Sequence, residues 1–326
     1  MKKNLAAIHW SKIDCSASER NFYCFPPIRA RSSLKIFDEY DPLRKEWCEY
    51  WTAEKYLKGN IPFGKCLSIC CGFGSVERTL ARLGIANEFV GTDVAPGAIA
   101  EAQKRAHDEN LLNISYVCED LNTVTLPHNE YNIIWANGAL HHIENLDKVI
   151  ENLHNSLHRG GFLVANEYVG PNYQQIGRRQ EEIINAVRHL LPDDLCNKET
   201  IHGLSVWKKG LRFIKNKVLK LPKGEKAYFG KIFERHDLRF FEKTDPSECV
   251  NSINVIPTLK KYFSQVDVRY FDGSIAFYAF DEKFYANFDA SNPDHMNLLN
   301  IIFDIEDRFI ASGEIGRDNA HIICRK

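Results

Sequence analysis

At 326 residues and 44% hydrophobic side chains, the chain can bury a substantial core as one large globular domain or two small ones. Its 42 Lys and Arg against 43 Asp and Glu leave a net charge of -1, so no global field draws it to phosphate backbones or anionic membranes. No stretch approaches the roughly 18 apolar residues of a membrane span. The amino terminus, MKKNLAAIHWSKIDCSASER, carries two lysines but no apolar run of the secretory kind, so a cytoplasmic location is expected.

Residues 1–62 are rich in aromatic and basic side chains, with NFYCFPPIRAR at 21–31, and close on a helix-like run, EWCEYWTAEKYL. They form an expected N-terminal cap. From residue 63 to 171, short apolar runs alternate with amphipathic stretches, the rhythm of βαβ units that build a parallel sheet. Strands are expected at Lys65–Cys70, Glu88–Thr92, Ile114–Cys118, Tyr131–Ala136 and Gly161–Asn166, with helices at Ser75–Leu83, Pro96–Glu109 and Leu146–Leu157. Arg159-Gly160-Gly161 is expected to end the last of these helices through a left-handed glycine cap. Residues 172–263 read as a helical insertion and acceptor lid, periodic at Gln180–Leu191 and lysine-rich at WKKGLRFIKNKVLKLPKGEK, Lys208 to Lys226 being read as a solvated face or, alternatively, as the lining of an entrance for an anionic substrate such as a sugar phosphate or nucleotide sugar. Residues 264–326 return to the sheet through strands at Gln265–Tyr270 and His321–Arg325, separated by a helix at Leu298–Ala311.

The ten cysteines read as reduced, buried structural thiols. Cys66, Cys70 and Cys71 cluster, but Cys-x-x-Cys is absent and no further Cys or His pair stands at zinc-finger spacing, so no metal is expected.

The chemistry concentrates in Leu67-Ser68-Ile69-Cys70-Cys71-Gly72-Phe73-Gly74-Ser75, an apolar strand followed by Gly-x-Gly opening a helix. A tight glycine turn lets a ligand approach the backbone, and the helix N-terminus adds free N–H groups. A dinucleotide fingerprint would continue to a third glycine, but Glu77 stands there, which argues against NAD. Asp93 ends the second strand about 20 residues on, where a carboxylate accepts from both ribose hydroxyls of an adenosine. Asp120 follows the third strand, in reach of an adenine amine. Two carboxylates ending consecutive strands beside one glycine turn describe an adenosine site without a pyrophosphate, which favours S-adenosylmethionine.

These residues resemble the class I S-adenosylmethionine-dependent methyltransferases. The likeness runs through SICCGFGS, FVGTDVAPGAI, CEDLNTVTLP, YNIIWANGALHHIENL and LHRGGFLVANEYVGP, roughly residues 65–171 in the family's order. It implies an α/β fold: a Rossmann-like, doubly wound, mostly parallel seven-stranded sheet with a helical lid inserted after the fifth strand. It assigns Gly72 and Gly74, with neighbouring Cys71, to the methionine and ribose side of the cofactor, Asp93 and Val94 to the ribose, Asp120 and Leu121 to the adenine, and Asn137 to the floor beside the methyl group. Ser68 stands where the family usually has an acidic residue and Cys70 where it has glycine; Glu77 or an N-terminal residue is the expected substitute for the missing carboxylate. EYVGP, DPSE and IEDRFIASGEI, beginning at residues 167, 245 and 305, are also similar to methyltransferases of bacterial cell-surface glycan and natural-product pathways.

Four residues are candidates for catalysis. His141 and His142 follow the fourth strand, where an imidazole can take a proton from a hydroxyl or amine acceptor, or shape the loop. Glu167 and Tyr168 end the fifth strand at the open edge of the sheet, where ligands of such folds bind, Glu167 alternatively acting as a helix cap. The expected function is methyl transfer to an O or N atom of a small-molecule or saccharide acceptor. Trp207, Phe213, Tyr228 and Phe229 are expected to line the acceptor pocket, closed from the other side by Trp10, Tyr23 and Phe25. Two alternatives are a non-catalytic adenosine-binding regulatory module, favoured by Ser68 and Cys70, and a nucleic-acid methyltransferase. The second is disfavoured because Asn137-Gly138-Ala139-Leu140 lacks the Pro-Pro-aromatic signature of amino-methyltransferases and the chain has no basic excess.

Overall fold

The computed structural model describes residues 5–11, 22–192, 195, 231–271, 273–280 and 287–326. The lysine-rich stretch Lys208 to Lys226 and the expected pocket aromatics Trp207, Phe213, Tyr228 and Phe229 lie outside the described residues.

Seven strands form one sheet: β1 (Phe63–Ile69), β2 (Ala86–Asp93), β3 (Ile114–Cys118), β4 (Tyr131–Asn137), β5 (Leu157–Tyr168), β6 (Gln265–Phe271) and β7 (Asn319–Arg325). Their order is β3-β2-β1-β4-β5-β7-β6. The first five pair in parallel, and β7 runs antiparallel to both β5 and β6. The α/β fold is therefore as expected, and it places the reversal of strand order between β1 and β4, the position at which open sheets of this kind bind ligands.

The parallel strands are apolar on both faces because helices cover both. Leu67 and Ile69 face one side with Ile134, Ala136 and Leu163, packing on Leu146, Val149, Ile150 and Leu153 of α6 (Leu146–Ser156). That i, i+3, i+4, i+7 stripe is fully buried, and each such side chain contributes about 1.5–3 kcal/mol of transfer free energy. Cys66, Ile133, Trp135 and Val164 face the other side, against Leu80 of α4 (Ser75–Arg82) and Leu57. In chain order, α1 (Leu5–Trp10), α2 (Pro26–Phe37) and α3 (Trp47–Thr52), which runs on into a wider turn at Ala53–Leu57, precede the sheet. α5 (Pro96–Asp108) follows β2.

After β5 the described chain is helical, with α7 (Arg178–Leu190), α8 (Leu238–Lys243) and α9 (Val255–Tyr262), and the last crossover carries α10 (Ala276–Ala279) and α11 (Pro293–Ala311). Ile183, Ile184 and Val187 of α7 join Leu299 and Ile302 of α11 in a second core beside the sheet. None of the described helices is long and apolar enough to cross a membrane.

One local expectation is corrected. Helix α6 ends at Ser156 with Leu157 extended, so Arg159-Gly160-Gly161 does not cap it. Leu157 already pairs with Tyr131, and the register shifts before Phe162 meets Ile133; Gly160, at φ 78°, absorbs that irregularity inside β5 and donates its N–H to Lys326 O. Among the described cysteines all thiols are free; Cys48, Cys66, Cys249 and Cys324 are buried as expected, whereas Cys70 and Cys71, in the turn beside the cavity, are half-buried and Cys118, at the end of the edge strand β3, is exposed.

Candidate active site at the end of the parallel strands

The chain leaves β1 through a left-handed turn. Cys70 (φ 48°), Gly72 (φ 51°) and Gly74 (φ 70°) all adopt positive φ before α4 begins at Ser75. Glycine takes this conformation without strain, whereas at Cys70 a β-carbon bears it. The two glycines serve different ends. A β-carbon on Gly72 would meet nothing within 4 Å, because the residue borders a cavity. A β-carbon on Gly74 would stand 2.3 Å from Tyr116 Oη and 3.0 Å from Ala102 Cβ, so Gly74 lets α4 close onto β3 and α5.

Asp93 locks this turn to β2. Its Oδ2 accepts from Gly72 N at 2.9 Å and its Oδ1 from Ala95 N at 2.9 Å. Burial holds its carboxyl above the usual range, opposed by these backbone donors. Arg78, which carried no signal in the sequence, secures the same turn from α4, its Nη1 donating to Phe73 O at 2.7 Å and Gly74 O at 2.8 Å while Nε binds Glu109 Oε1 at 2.8 Å.

The cavity beside the turn measures about 900 Å³, at the upper end of the roughly 300–1,000 Å³ of small-molecule sites. One end is bordered by Cys70, Gly72, Asp93, Val94, Asp120, Leu121 and Asn137. Asp120 Oδ1 is engaged by Asn122 N at 2.9 Å in a local turn, and its Oδ2 has no partner among the described residues. Thr92 Oγ1, also on the wall, is buried with no hydrogen-bond partner among the described residues. Cys71 and Gly74 stand behind the wall; Cys71 Sγ lies 3.2 Å from where a Gly91 β-carbon would be.

Glu77 is not among the residues that border the cavity. It is fully buried beneath the turn, away from the cavity walls, with the Ser68 hydroxyl beside it, and burial pushes its carboxyl up to about 7. The N-terminal segment does reach the cavity: Leu5, Ala6 and Trp10 line it. Tyr23 and Phe25 do not, being packed against Phe277 and Phe288 respectively.

At the other end stand His142, Tyr173, Pro246, Ser247 and Val250. Glu167, 2% exposed, organises the loop after β4: Oε1 accepts from Ala139 N and Leu140 N, both at 2.8 Å, and Oε2 from His141 Nδ1 at 2.7 Å. Burial pulls the His141 imidazole down, but the Glu167 hydrogen bond and the surrounding carboxylate charges together outweigh it and hold the group above its ordinary range. Burial, with the neighbouring His141, holds His142 below the ordinary range. Tyr168 is packed away from the cavity, its hydroxyl 3.3 Å from Pro171 O and pushed up by burial. Of the four catalytic candidates, the structure therefore brings His142 to the cavity wall and stacks His141 and Glu167 behind it. Tyr173 had no sequence signal and Ser247 only its place in the DPSE stretch, since only the fold carries them to this end of the cavity.

A methyltransferase domain model matches residues 66–161. Over that stretch the chain is similar to a methyltransferase domain. Among curated proteins, it is 27% identical over 159 residues to a 2-phytyl-1,4-naphtoquinone methyltransferase of Nostoc sp., covering 48% of this chain and 66% of that protein. It is 30% identical over 111 residues to a ubiquinone biosynthesis O-methyltransferase of Coxiella burnetii, covering 33% of this chain and 46% of the relative. The likeness thus spans about two thirds or less of these relatives. Among solved structures, an S-adenosylmethionine dependent methyltransferase from Mesorhizobium loti is similar over 37% of this chain and 54% of its own, with a TM-score of 0.33 and 24% identity.

The site fits the family's cofactor. The described cavity lining includes Asp93, Glu119, Asp120 and Glu144 and no Lys or Arg, a field suited to a sulfonium and ammonium cation. Gly72 leaves space against the backbone, and Asp93 and Asp120 retain lone pairs for hydroxyl and amine donors.

Proposed function

We propose that the protein transfers a methyl group from S-adenosylmethionine to an O or N atom of a neutral or cationic small molecule. The observation that carries this reading is one continuous cavity. It runs from the glycine turn, Asp93 and Asp120 to Trp10, His142, Tyr173 and Ser247, with acidic but no basic side chains among its described lining residues. When bound, S-adenosylmethionine supplies a methyl group already activated on a sulfonium.

The chain's own residues then bind, orient and exclude water. Asp93 and Val94 would hold the ribose, Asp120 and Leu121 the adenine, Gly72 the backbone-facing side of the methionine, and Asn137 the floor. Trp10 and Tyr173 offer apolar faces to a ring-bearing acceptor, and His142 and Ser247 are the polar groups beside it. Glu167 acts as a positioning residue, because it fixes the loop that presents His142 and does not itself border the cavity. An acceptor carrying phosphate or carboxylate would meet the field of Glu119, Glu144 and Asp120 with no Lys or Arg among the described lining residues to neutralise it. The relative named as a ubiquinone biosynthesis O-methyltransferase fits a ring-bearing oxygen acceptor, and a saccharide with an apolar face fits the same walls. A purely regulatory adenosine-binding module would leave the Trp10–Tyr173 end without use.

The test is mass-spectrometric turnover with S-adenosylmethionine against phenols and quinols, neutral and amino sugars, and sugar phosphates. Product gaining one methyl group is expected from uncharged or amine-bearing acceptors. Turnover confined to phosphorylated acceptors would refute the acceptor class, and failure to bind the cofactor would refute the activity.

A further inference from the structure

We propose that His141, His142 and Glu248 form a binding site for one divalent transition-metal ion at the acceptor end of the cavity. One ring nitrogen of each histidine and a carboxylate oxygen of Glu248 lie within 4.8 Å of one another. Around a tetrahedral zinc ion, with ligand bonds of about 2.0–2.2 Å, two ligands stand about 3.3–3.6 Å apart, so side-chain adjustments of a little over about an ångström close the set.

The decisive feature is that each of the three ligands is held from behind. Glu167 Oε2 lies 2.7 Å from His141 Nδ1. A carboxylate only accepts, so in the neutral imidazole, the form that binds a metal, Nδ1 carries the proton and Nε2 the lone pair. His142 Nδ1 lies 3.3 Å from Ser247 Oγ, and the Ser247 hydroxyl donates to Asp245 Oδ1 at 2.6 Å. With that proton committed, Nδ1 of His142 is the donor and its Nε2 also carries a lone pair. Asp245 is itself fixed by Ser247 N at 2.9 Å and by Trp10 Nε1 at 2.9 Å. Glu248 Oε1 accepts from Gln174 Nε2 at 3.3 Å and from Cys249 Sγ at 3.1 Å, which turns Oε2 toward His142 Nε2, 3.8 Å away.

In this tautomer neither His142 Nε2 nor Glu248 Oε2 has a proton to share, and a cation supplies what the pair lacks. A carboxylate behind a ligating imidazole is the usual second layer of protein metal sites. Two imidazoles and one carboxylate suit zinc, iron(II) or manganese(II), and three protein ligands leave a position for water or an acceptor oxygen. His142 and Glu248 have side chains 14% and 28% exposed, so an ion has a path in.

The test uses the full chain, stripped with EDTA, dialysed and titrated with ZnCl₂ and separately MnCl₂ by calorimetry, with bound metal counted after desalting. It needs neither cofactor nor acceptor, so its failure would leave the methyl-transfer reading untouched. One ion per wild-type chain is expected, with affinity at least tenfold weaker in His142→Ala and in Glu248→Gln. Ser247→Ala, which loses only the group orienting His142, is expected to weaken binding about tenfold. Glu248→Gln is isosteric and partly exposed, and its unchanged melting temperature without metal separates lost ligation from lost folding. Absence of binding to the wild type, or equal affinity and stoichiometry in both ligand variants, would overturn the proposal.

Discussion

Replacing Glu77 by Gln should change how stability depends on pH in a direction fixed by burial. The carboxyl lies fully buried under the glycine turn and is pushed up to about 7, against about 4.5 in an unfolded chain. Between those values the folded state holds a proton that the unfolded state has released, so wild-type stability falls as pH rises and levels off above pH 7. With these two values the penalty is about 0.8 kcal/mol at pH 5 and about 3.3 kcal/mol at pH 8. Glutamine keeps the shape and carries no titrating proton, so the stability of the variant relative to wild type should rise by about 2.5 kcal/mol from pH 5 to pH 8. Urea unfolding at the two pH values, read by circular dichroism, measures this difference, and any pH-independent cost of the amide cancels. Parallel pH profiles of wild type and Glu77→Gln would refute the reasoning.

Other substitutions separate the roles around the turn. Gly74→Ala should destabilise by about 2–4 kcal/mol, since its β-carbon would stand 2.3 Å from Tyr116 Oη at φ 70°; Gly72→Ala should cost only about 1 kcal/mol of left-handed strain yet weaken cofactor binding, as thermal melts and ligand titrations would show. At Cys70, φ 48°, Gly should be more stable than Ala by about 1 kcal/mol in chemical denaturation, because only the Ala variant keeps the backbone strain. Glu167→Ala should cost about 2–4 kcal/mol by the same assay, having stripped the buried Ala139 and Leu140 N–H groups of their acceptor.

The parallel half of the sheet was legible because its signals are local. Leu67-Ser68-Ile69 ends in a glycine turn, and Asp93 closes the next strand at a spacing set by one βαβ unit. The acceptor end was less legible, because Trp10, Tyr173 and the adjacent pair Ser247 and Glu248 come from three distant segments and gather around His142 only through the fold. Glu167 illustrates the difference. Sequence places it at the end of a strand, but only the packed loop shows that it accepts from Ala139, Leu140 and His141 instead of facing the cavity. Gly160 was misassigned for a related reason: Leu157 gains a strand partner in Tyr131, so the chain becomes extended before the glycines are reached.

The central claim is that the Asp93 end of the cavity holds S-adenosylmethionine, and calorimetric titration of the wild type and of Asp93→Ala tests it most directly. One molecule bound per wild-type chain is expected, with affinity weakened at least tenfold, about 1.4 kcal/mol, in the variant. No binding to the wild type, or equal affinity in both proteins, would contradict it.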